Sequence, residues 1–390
     1  MELPKIIESD YLDLCKLISN ENINGDEFDN LLNSDDRLLS LIYLLNKHWL
    51  MATFEQKIKE NHLWLALDEH LQSYILEITE VYKVRSINIS NEINFIIETL
   101  NNNNIHSILI KGGANLFNNV ANPPYTRFMS DVDILIPQES IIKAYDLLKS
   151  IGYTNLSEED SLIAKEHHHL PALFNITEGS CQIELHKDIL MKTSSYLLST
   201  KEAILKSEPL QINNKLFSHQ LHPNHQLILA IVHAEVSDHG YAENFLNLKM
   251  LYDLTQIIKR FDDRLNWEII YKKFEDENSS EILVSVLYSL NILFKINILE
   301  NKLNNKIPAT YITKARLHFE KCVHSKSRIR KKFDIVVRIL NNYTKKNILL
   351  KYGGIGYQSY LKGIFKQIFR HFMMLLDKKR LKRFIKKFSN

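Results

Sequence analysis

The sequence is poor in the residues that punctuate a chain. Its 390 residues include 10 glycines and 8 prolines, with no glycine between Gly25 and Gly112 and no proline between Pro4 and Pro123. That scarcity, beside 45% hydrophobic residues, excludes a collagen-like or wholly disordered chain. Cysteine is scarce too. Cys15, Cys181 and Cys322 are odd in number and far apart, which suits neither a disulfide framework nor a cysteine zinc site. Long apolar runs are missing. The longest, Ile282 to Phe294, has 13 residues and contains Ser285, Ser289 and Asn291. A bilayer span takes roughly 20 apolar residues, so a buried helix is expected there. The first residues carry Glu2, Glu8, Asp10 and Asp13 instead of the basic start and apolar run of a secretory signal. The expected compartment is the cytoplasm.

Negative charge is nearly absent from the end of the chain. Residues 341–390 hold 13 Lys/Arg and one acid, Asp377, hence +12, which leaves −9 for residues 1–340 out of a total of +3. From Lys362 to Phe388, ten Lys/Arg interleave with Phe365, Phe369, Phe372, Leu376, Phe384, Ile385 and Phe388. A basic amphipathic helix suits RNA or an anionic membrane surface, the second of which would put the protein at a membrane peripherally. The same pattern arises when a helix simply packs its apolar side on the body.

The hydrophobic spacing divides the chain into four stretches. Residues 1–100 read as helical: Tyr11, Leu12, Leu14, Leu17 and Ile18 recur at helical intervals, as do Leu38 to Leu45 and Phe95 to Leu100. Asn101 to Asn104 is expected to be a loop. Residues 101–220 change texture. Ile108-Leu109-Ile110 runs into Gly112-Gly113, and Val132 and Ile134 alternate with Asp131 and Asp133. A helical pattern from Ile142 closes at Gly152. Ala172 to Ile176 and Cys181 to Leu185 read as strands around Glu178-Gly179. Residues 221–356 are helical again, and 357–390 form the basic tail. The fold class is therefore α+β, a small mixed sheet flanked by helical regions. Gly353-Gly354-Ile355-Gly356 lacks the following Lys-Ser/Thr of a phosphate loop and reads as a loop or hinge.

Chemistry concentrates between Ile110 and Ile136. Glycines at a strand-to-helix turn let backbone amides approach a ligand closely, an arrangement that suits a triphosphate, although Gly-Gly also serves ordinary turns. Asp131 and Asp133 are two apart on a strand, so both carboxylates project to one face while Val132 and Ile134 enter the core. Like charges about 6–7 Å apart call for a cation between them, unless they simply face solvent. Further on, Gln182, Glu184 and His186 share one strand face, and an acid inside an apolar strand is rare unless paired or bound to metal. His186 on the same face could be a neighbouring ligand, but a hydrogen-bonded structural role is the expected one. Three adjacent histidines, His167 to His169, could not share one metal on a helix or strand. His233 and His239, beside Glu235 and Asp238, read as ordinary core or surface residues.

Together these parts resemble the polymerase-β-type nucleotidyltransferase superfamily. Lys111-Gly112-Gly113, Tyr125, Arg127, Ser130-Asp131-Val132-Asp133-Ile134-Leu135, Gly152-Tyr153 and Ile183-Glu184-Leu185-His186 are similar to the LKG…R…SDxDLL…GY…ELH pattern of poorly characterised bacterial nucleotidyltransferase family proteins. The stretch with Lys111-Gly112-Gly113 and Arg127-Phe128-Met129-Ser130-Asp131-Val132-Asp133 is also similar to nucleotidyltransferase toxins of abortive-infection and toxin–antitoxin systems. The resemblance covers roughly Ile105 to Lys187. The 18-residue step from Gly113 to Asp131, with Pro123-Pro124 inside it, is longer than in many members. The resemblance implies a polymerase-β-like core that moves a nucleoside monophosphate from an NTP to an acceptor hydroxyl on a small molecule, saccharide, protein or RNA. It implies that Asp131, Asp133 and Glu184 are catalytic and hold two Mg²⁺, with Mn²⁺ as a substitute. Lys111, Gly112, Gly113, Arg127 and Ser130 would bind substrate. The plainer alternative for Lys111 and Arg127 is pairing with Asp131 or Asp133 in the empty protein. One of His167 to His169 would line the acceptor pocket. The alternatives are a toxin-like enzyme acting on tRNA, slightly favoured by the basic tail, and a non-catalytic nucleotide- or partner-binding module, disfavoured by three intact carboxylates.

Overall fold

With no glycine between Gly25 and Gly112 and no proline between Pro4 and Pro123 to interrupt it, the described chain before residue 105 folds almost entirely as helix. The computed structural model describes residues 4, 6–19, 25–32, 34–155, 167–175, 181–303 and 306–324. The expected Gly353–Gly356 loop and the basic tail lie outside the described residues. Helices α1 (Glu8–Ile18), α2 (Gly25–Leu32), α3 (Asp35–Lys47) and α4 (Met51–Glu60) lead into α5 (Glu69–Asn102), which is 34 residues long. Asp68 starts α5 by accepting from the amides of His70 and Leu71 at 2.9 and 3.0 Å, satisfying donors that a helix start leaves open. The loop expected at Asn101 begins two residues later, because α5 continues through Asn102.

The middle of the chain supplies a seven-stranded mixed sheet. β1 (Ile108–Leu109) is followed by α6 (Lys111–Phe117), β2 (Asp131–Leu135), α7 (Ile141–Ser150) and β3 (Tyr153–Asn155). Then come β4 (Leu173–Asn175), β5 (Gln182–His186), α8 (Thr200–Leu205), β6 (Glu208–Gln211) and β7 (Phe217–Gln220). The order across the sheet is β3-β4-β5-β2-β1-β7-β6, with β2–β5 and β1–β7 parallel and the other pairs antiparallel. The remaining described chain is helical: α9 (Pro223–Val232), a π-helical turn (His233–Ser237), α10 (Gly240–Glu243), α11 (Leu248–Phe261), α12 (Trp267–Asp276), α13 (Ser280–Phe294), α14 (Ile298–Asn301) and α15 (Ala309–Val323). No described helix is long and apolar enough to cross a membrane. This architecture is the α+β class expected from the alternation of patterns.

The alternation of side chains along the strands decides what each sheet face touches. Leu109, Val132, Ile134, Ile183 and Leu185 pack with Ile93, Ile96 and Leu100 of α5 and with Ala144 and Leu148 of α7. Ile108, Ile110 and Leu135 face the other way, into a larger core that joins Leu14, Leu44 and Met51 of the first helices to Leu251, Leu287 and Phe319 of the last. Each such aliphatic side chain contributes about 1.5–3 kcal/mol when fully buried. The same second face carries the polar positions of β2 and β5.

The π-helical turn buries Glu235 to 7% exposure, and that burial pushes its carboxyl up to about 7 from 4.5. The stability this proton confers is complete below the unfolded value and is lost as pH rises through the folded one. Going from about pH 5 to about pH 8 should therefore lower the melting temperature more for the wild type than for Glu235→Gln. The difference is worth up to about 3 kcal/mol. Equal pH slopes in thermal unfolding would show that this carboxyl ionises as freely in the folded chain as in the unfolded one.

Candidate active site

Parallel pairing of β2 with β5 sets Asp131 opposite Gln182, Asp133 opposite Glu184 and Leu135 opposite His186. Two strands distant in sequence thus bring an aspartate, a glutamate and a histidine together on one face. Candidate ligand atoms of Asp133, Glu184 and His186 all lie within 4.8 Å of one another. Asp131 stands two residues earlier, outside that group, and its Oδ1 accepts from Ser130 Oγ at 3.1 Å. Ser130 and Met129 are held in turn by α5. Arg85 donates from Nε to the Met129 carbonyl at 2.6 Å and from Nη2 to the Ser130 carbonyl at 3.0 Å.

Asp133 is the most enclosed of the carboxylates, 3% exposed. Its Oδ1 meets Lys111 Nζ at 2.8 Å and His186 Nε2 at 2.7 Å. Burial is the largest single influence and opposes ionisation, but the ammonium and the imidazole together outweigh it and hold the carboxyl well below the usual carboxylate range. His186 moves the opposite way. Burial disfavours its charge, yet its bonds to Asp133 and Glu184 raise it above its ordinary value. Glu184 Oε2 lies 3.6 Å from His186 Nε2 and 3.9 Å from His169 Nε2. Against burial, these neighbours lower its carboxyl. The site is thus a buried anionic pair already compensated by cations.

Lys111 reaches Asp133 because of a backbone feature at the end of β1. Ile110 is still extended and donates its amide to the Asp133 carbonyl at 3.2 Å. Lys111 then takes a left-handed conformation, φ 50°, which costs a non-glycine residue roughly 1–2 kcal/mol. The glycines expected at this turn lie instead inside the first turn of α6. Their space shows what each is for. A Cβ on Gly112 would overlap Arg127 Nη1 and stand 2.7 Å from Met129 Sδ, whereas a Cβ on Gly113 would meet only ordinary contacts, 3.4 Å or more away. Gly112 therefore makes room for the Arg127 guanidinium.

The alternative partners of Arg127, Asp131 and Asp133, do not hold it: its ion pair is with Asp253 of α11, where Nε donates to Oδ1 and Oδ2 at 3.1 and 3.0 Å and Nη2 lies 2.9 Å from Oδ2. Lys249, one turn earlier on α11, completes this corner. Burial, then the Arg127 charge, pull its ammonium down to about 8, while Asp253 and Asp131 oppose them. Lys249 therefore lies within the electrostatic reach of Arg127, Asp253 and Asp131. Lys249 and Asp253 escape sequence reasoning because a lysine and an aspartate four apart on an amphipathic helix look like a routine surface pair. Lys111 is also among the cations that lower the Asp238 carboxyl, although burial, the largest influence there, raises it. The turn after α9, read from sequence as ordinary core or surface, therefore approaches the site. Burial drops His168 to about 2, and its ring packs 5.0 Å from that of His186.

A family model described as uncharacterised nucleotidyltransferase matches residues 35–295. No curated protein and no solved structure matches. The matched span contains all seven strands, the α6 glycines and the α11 residues that hold Arg127. The chain accordingly belongs to this family of nucleotidyltransferases, and its general activity is nucleotidyl transfer.

Proposed function

We propose that the protein transfers a nucleoside monophosphate from an NTP to an acceptor hydroxyl, with Asp131, Asp133 and Glu184 as the holders of two Mg²⁺ ions or of Mn²⁺ in their place. The observation that carries this reading is the Asp133–Glu184 pairing across β2 and β5, with Lys111 Nζ 2.8 Å from Asp133 Oδ1. Carboxylate oxygens are the hard donors such ions prefer, and the Lys111 ammonium marks Asp133 as a carboxylate that accepts a cation. Bound there, the ions would neutralise charge on the phosphates and on the leaving pyrophosphate.

The chain's own residues do the rest. Arg127, held in position by Asp253 through Nε and Nη2, and Lys249 bind the triphosphate with their remaining donors. Lys111 passes from Asp133 to a phosphate oxygen. Glu184, flanked by two imidazoles, takes the proton of the acceptor hydroxyl as its oxygen bonds to the α-phosphorus. The bond from that phosphorus to the β-phosphate oxygen breaks, and pyrophosphate leaves.

The test incubates the full-length protein with each α-labelled NTP and Mg²⁺, alone, with a metabolite extract and with total RNA. Label transferred to any acceptor, with pyrophosphate released, supports the proposal, and label in RNA selects the toxin-like reading. Nucleotide binding without pyrophosphate release under all conditions overturns it in favour of a binding module. Glu184→Gln should lower turnover by about 100-fold, less than the aspartate changes do, because it removes one donor and leaves the Lys111–Asp133 pair intact.

A further inference from the structure

We propose that the turn His167-His168-His169 binds a transition-metal ion of the Zn²⁺ class, at a site separate from the Asp131–Asp133 carboxylates. The geometric objection to three adjacent histidines sharing an ion assumes a regular helix or strand. This turn is neither. His167 and His168 lie in a bend, and His169 makes a single antiparallel bridge with His186. Ring nitrogens of all three come within 4.8 Å of one another.

The ring spacing is close to that of a shared ion. Two imidazoles on one tetrahedral Zn²⁺, at the usual Zn–N distance of about 2.0–2.1 Å, have ring centres about 5 Å apart. Here the centres of His168 and His169 are 4.9 Å apart and those of His167 and His169 5.4 Å. The third pair, His167 with His168, stands at 6.4 Å and closes by rotating His167, which is exposed.

The turn is also prepared as a ligand set. The amides of Lys187 and Asp188 both donate to the His168 carbonyl, at 2.9 and 3.0 Å, and the Leu170 amide donates to the Leu185 carbonyl at 2.9 Å. The histidines are thereby pinned to the end of β5. His169 Nδ1 lies 2.7 Å from the Leu170 carbonyl. A carbonyl only accepts, so Nδ1 carries the proton and Nε2 keeps its lone pair, as in imidazoles that a backbone carbonyl orients toward a metal. His168 Nδ1 is buried with no hydrogen-bond partner, a polar atom that a bound ion would satisfy. The fourth position is open to water, so Glu184 stays with Asp131 and Asp133. Nitrogen donors favour Zn²⁺, Co²⁺ or Ni²⁺ over Mg²⁺, so the two neighbouring sites differ in the ions they take.

The experiment titrates Co²⁺ into tag-free, metal-stripped full-length protein with Mg²⁺ in excess, reading visible d–d absorption and calorimetric stoichiometry. The expected result is one Co²⁺ per chain, displaced by Zn²⁺ and retained in Asp131→Asn/Asp133→Asn. Affinity should fall by about tenfold or more in His169→Gln and in His167→Gln/His168→Gln. Glutamine keeps polarity and approximate size, and melting curves report folding. Where the multiple variants unfold, His167→Ala at its exposed position serves instead. Wild-type Co²⁺ affinity in any folded histidine variant overturns the proposal. So does loss of Co²⁺ in the aspartate variant, which would move the ion to the carboxylates. Nucleotidyl transfer is measured separately, so failure here leaves that reading standing.

Discussion

Asp133→Asn should abolish measurable turnover, lowering kcat by at least about 100-fold, and should also lower the melting temperature. The two losses have one origin. The buried carboxylate is the shared acceptor of Lys111 Nζ and His186 Nε2, and an amide offers an oxygen of the same shape without the charge. Breaking a fully buried ion pair costs about 3–5 kcal/mol. Lys111 keeps 18% side-chain exposure, so water recovers part of this and about 1–3 kcal/mol is the expected range. Asp131→Asn supplies the contrast. Its carboxylate is half-buried and bonded to Ser130, so an equal loss of activity should come with a much smaller change in melting. Measured together, activity and thermal unfolding separate a metal-holding role from a structural one. Wild-type turnover in both variants at saturating Mg²⁺ would remove the carboxylates from the chemistry.

Gly112→Ala and Gly113→Ala should differ sharply although the residues are neighbours. At Gly112 the added methyl occupies the place of Arg127 Nη1 and crowds Met129 Sδ at 2.7 Å and Cγ at 3.0 Å. Both obstacles are ends of flexible side chains, so the fold yields and the guanidinium moves. What is lost is the ion pair to Asp253, made through Nε and Nη2. Hydrogen bonds to charged groups are worth about 1.5–3 kcal/mol, so KM for NTP should rise by about 10-fold to 100-fold with a small change in melting. At Gly113 the methyl meets Leu109 Cδ2 at 3.4 Å and Val132 Cγ1 at 3.7 Å, ordinary contacts, and kinetics should stay near wild type. Steady-state KM and kcat for the two alanine variants decide the matter. If Gly113→Ala proves the more damaging, close backbone approach of the phosphates governs this turn and the Arg127 account fails.

Much of the site was legible one strand at a time. Alternation in Asp131 to Leu135 and in Gln182 to His186 predicts which side chains share a face, and the register bears this out by placing Asp133 opposite Glu184 with Val132 and Ile183 buried behind them. The turn at Lys111 was less legible. Glycine is the usual residue at positive φ, so Gly-Gly drew the prediction, while the chain places lysine there and uses Gly112 for clearance. The histidine run was illegible for a related reason. Face-sharing rules hold for regular elements, whereas His167 and His168 lie in a bend and His169 makes a single bridge beside β5.

By itself the sequence determined the α+β class, the helical flanks, the strands and the carboxylates, because each depends on a local period or on the scarcity of glycine and proline over a few turns. Tertiary structure decided what those residues touch. Asp253 anchors Arg127 across 126 residues of chain, Lys249 joins them, and first and last helices share one core. Such pairings depend on which of many amphipathic helices docks against the sheet. That choice is set by the summed fit of whole faces, and no short window of sequence contains it.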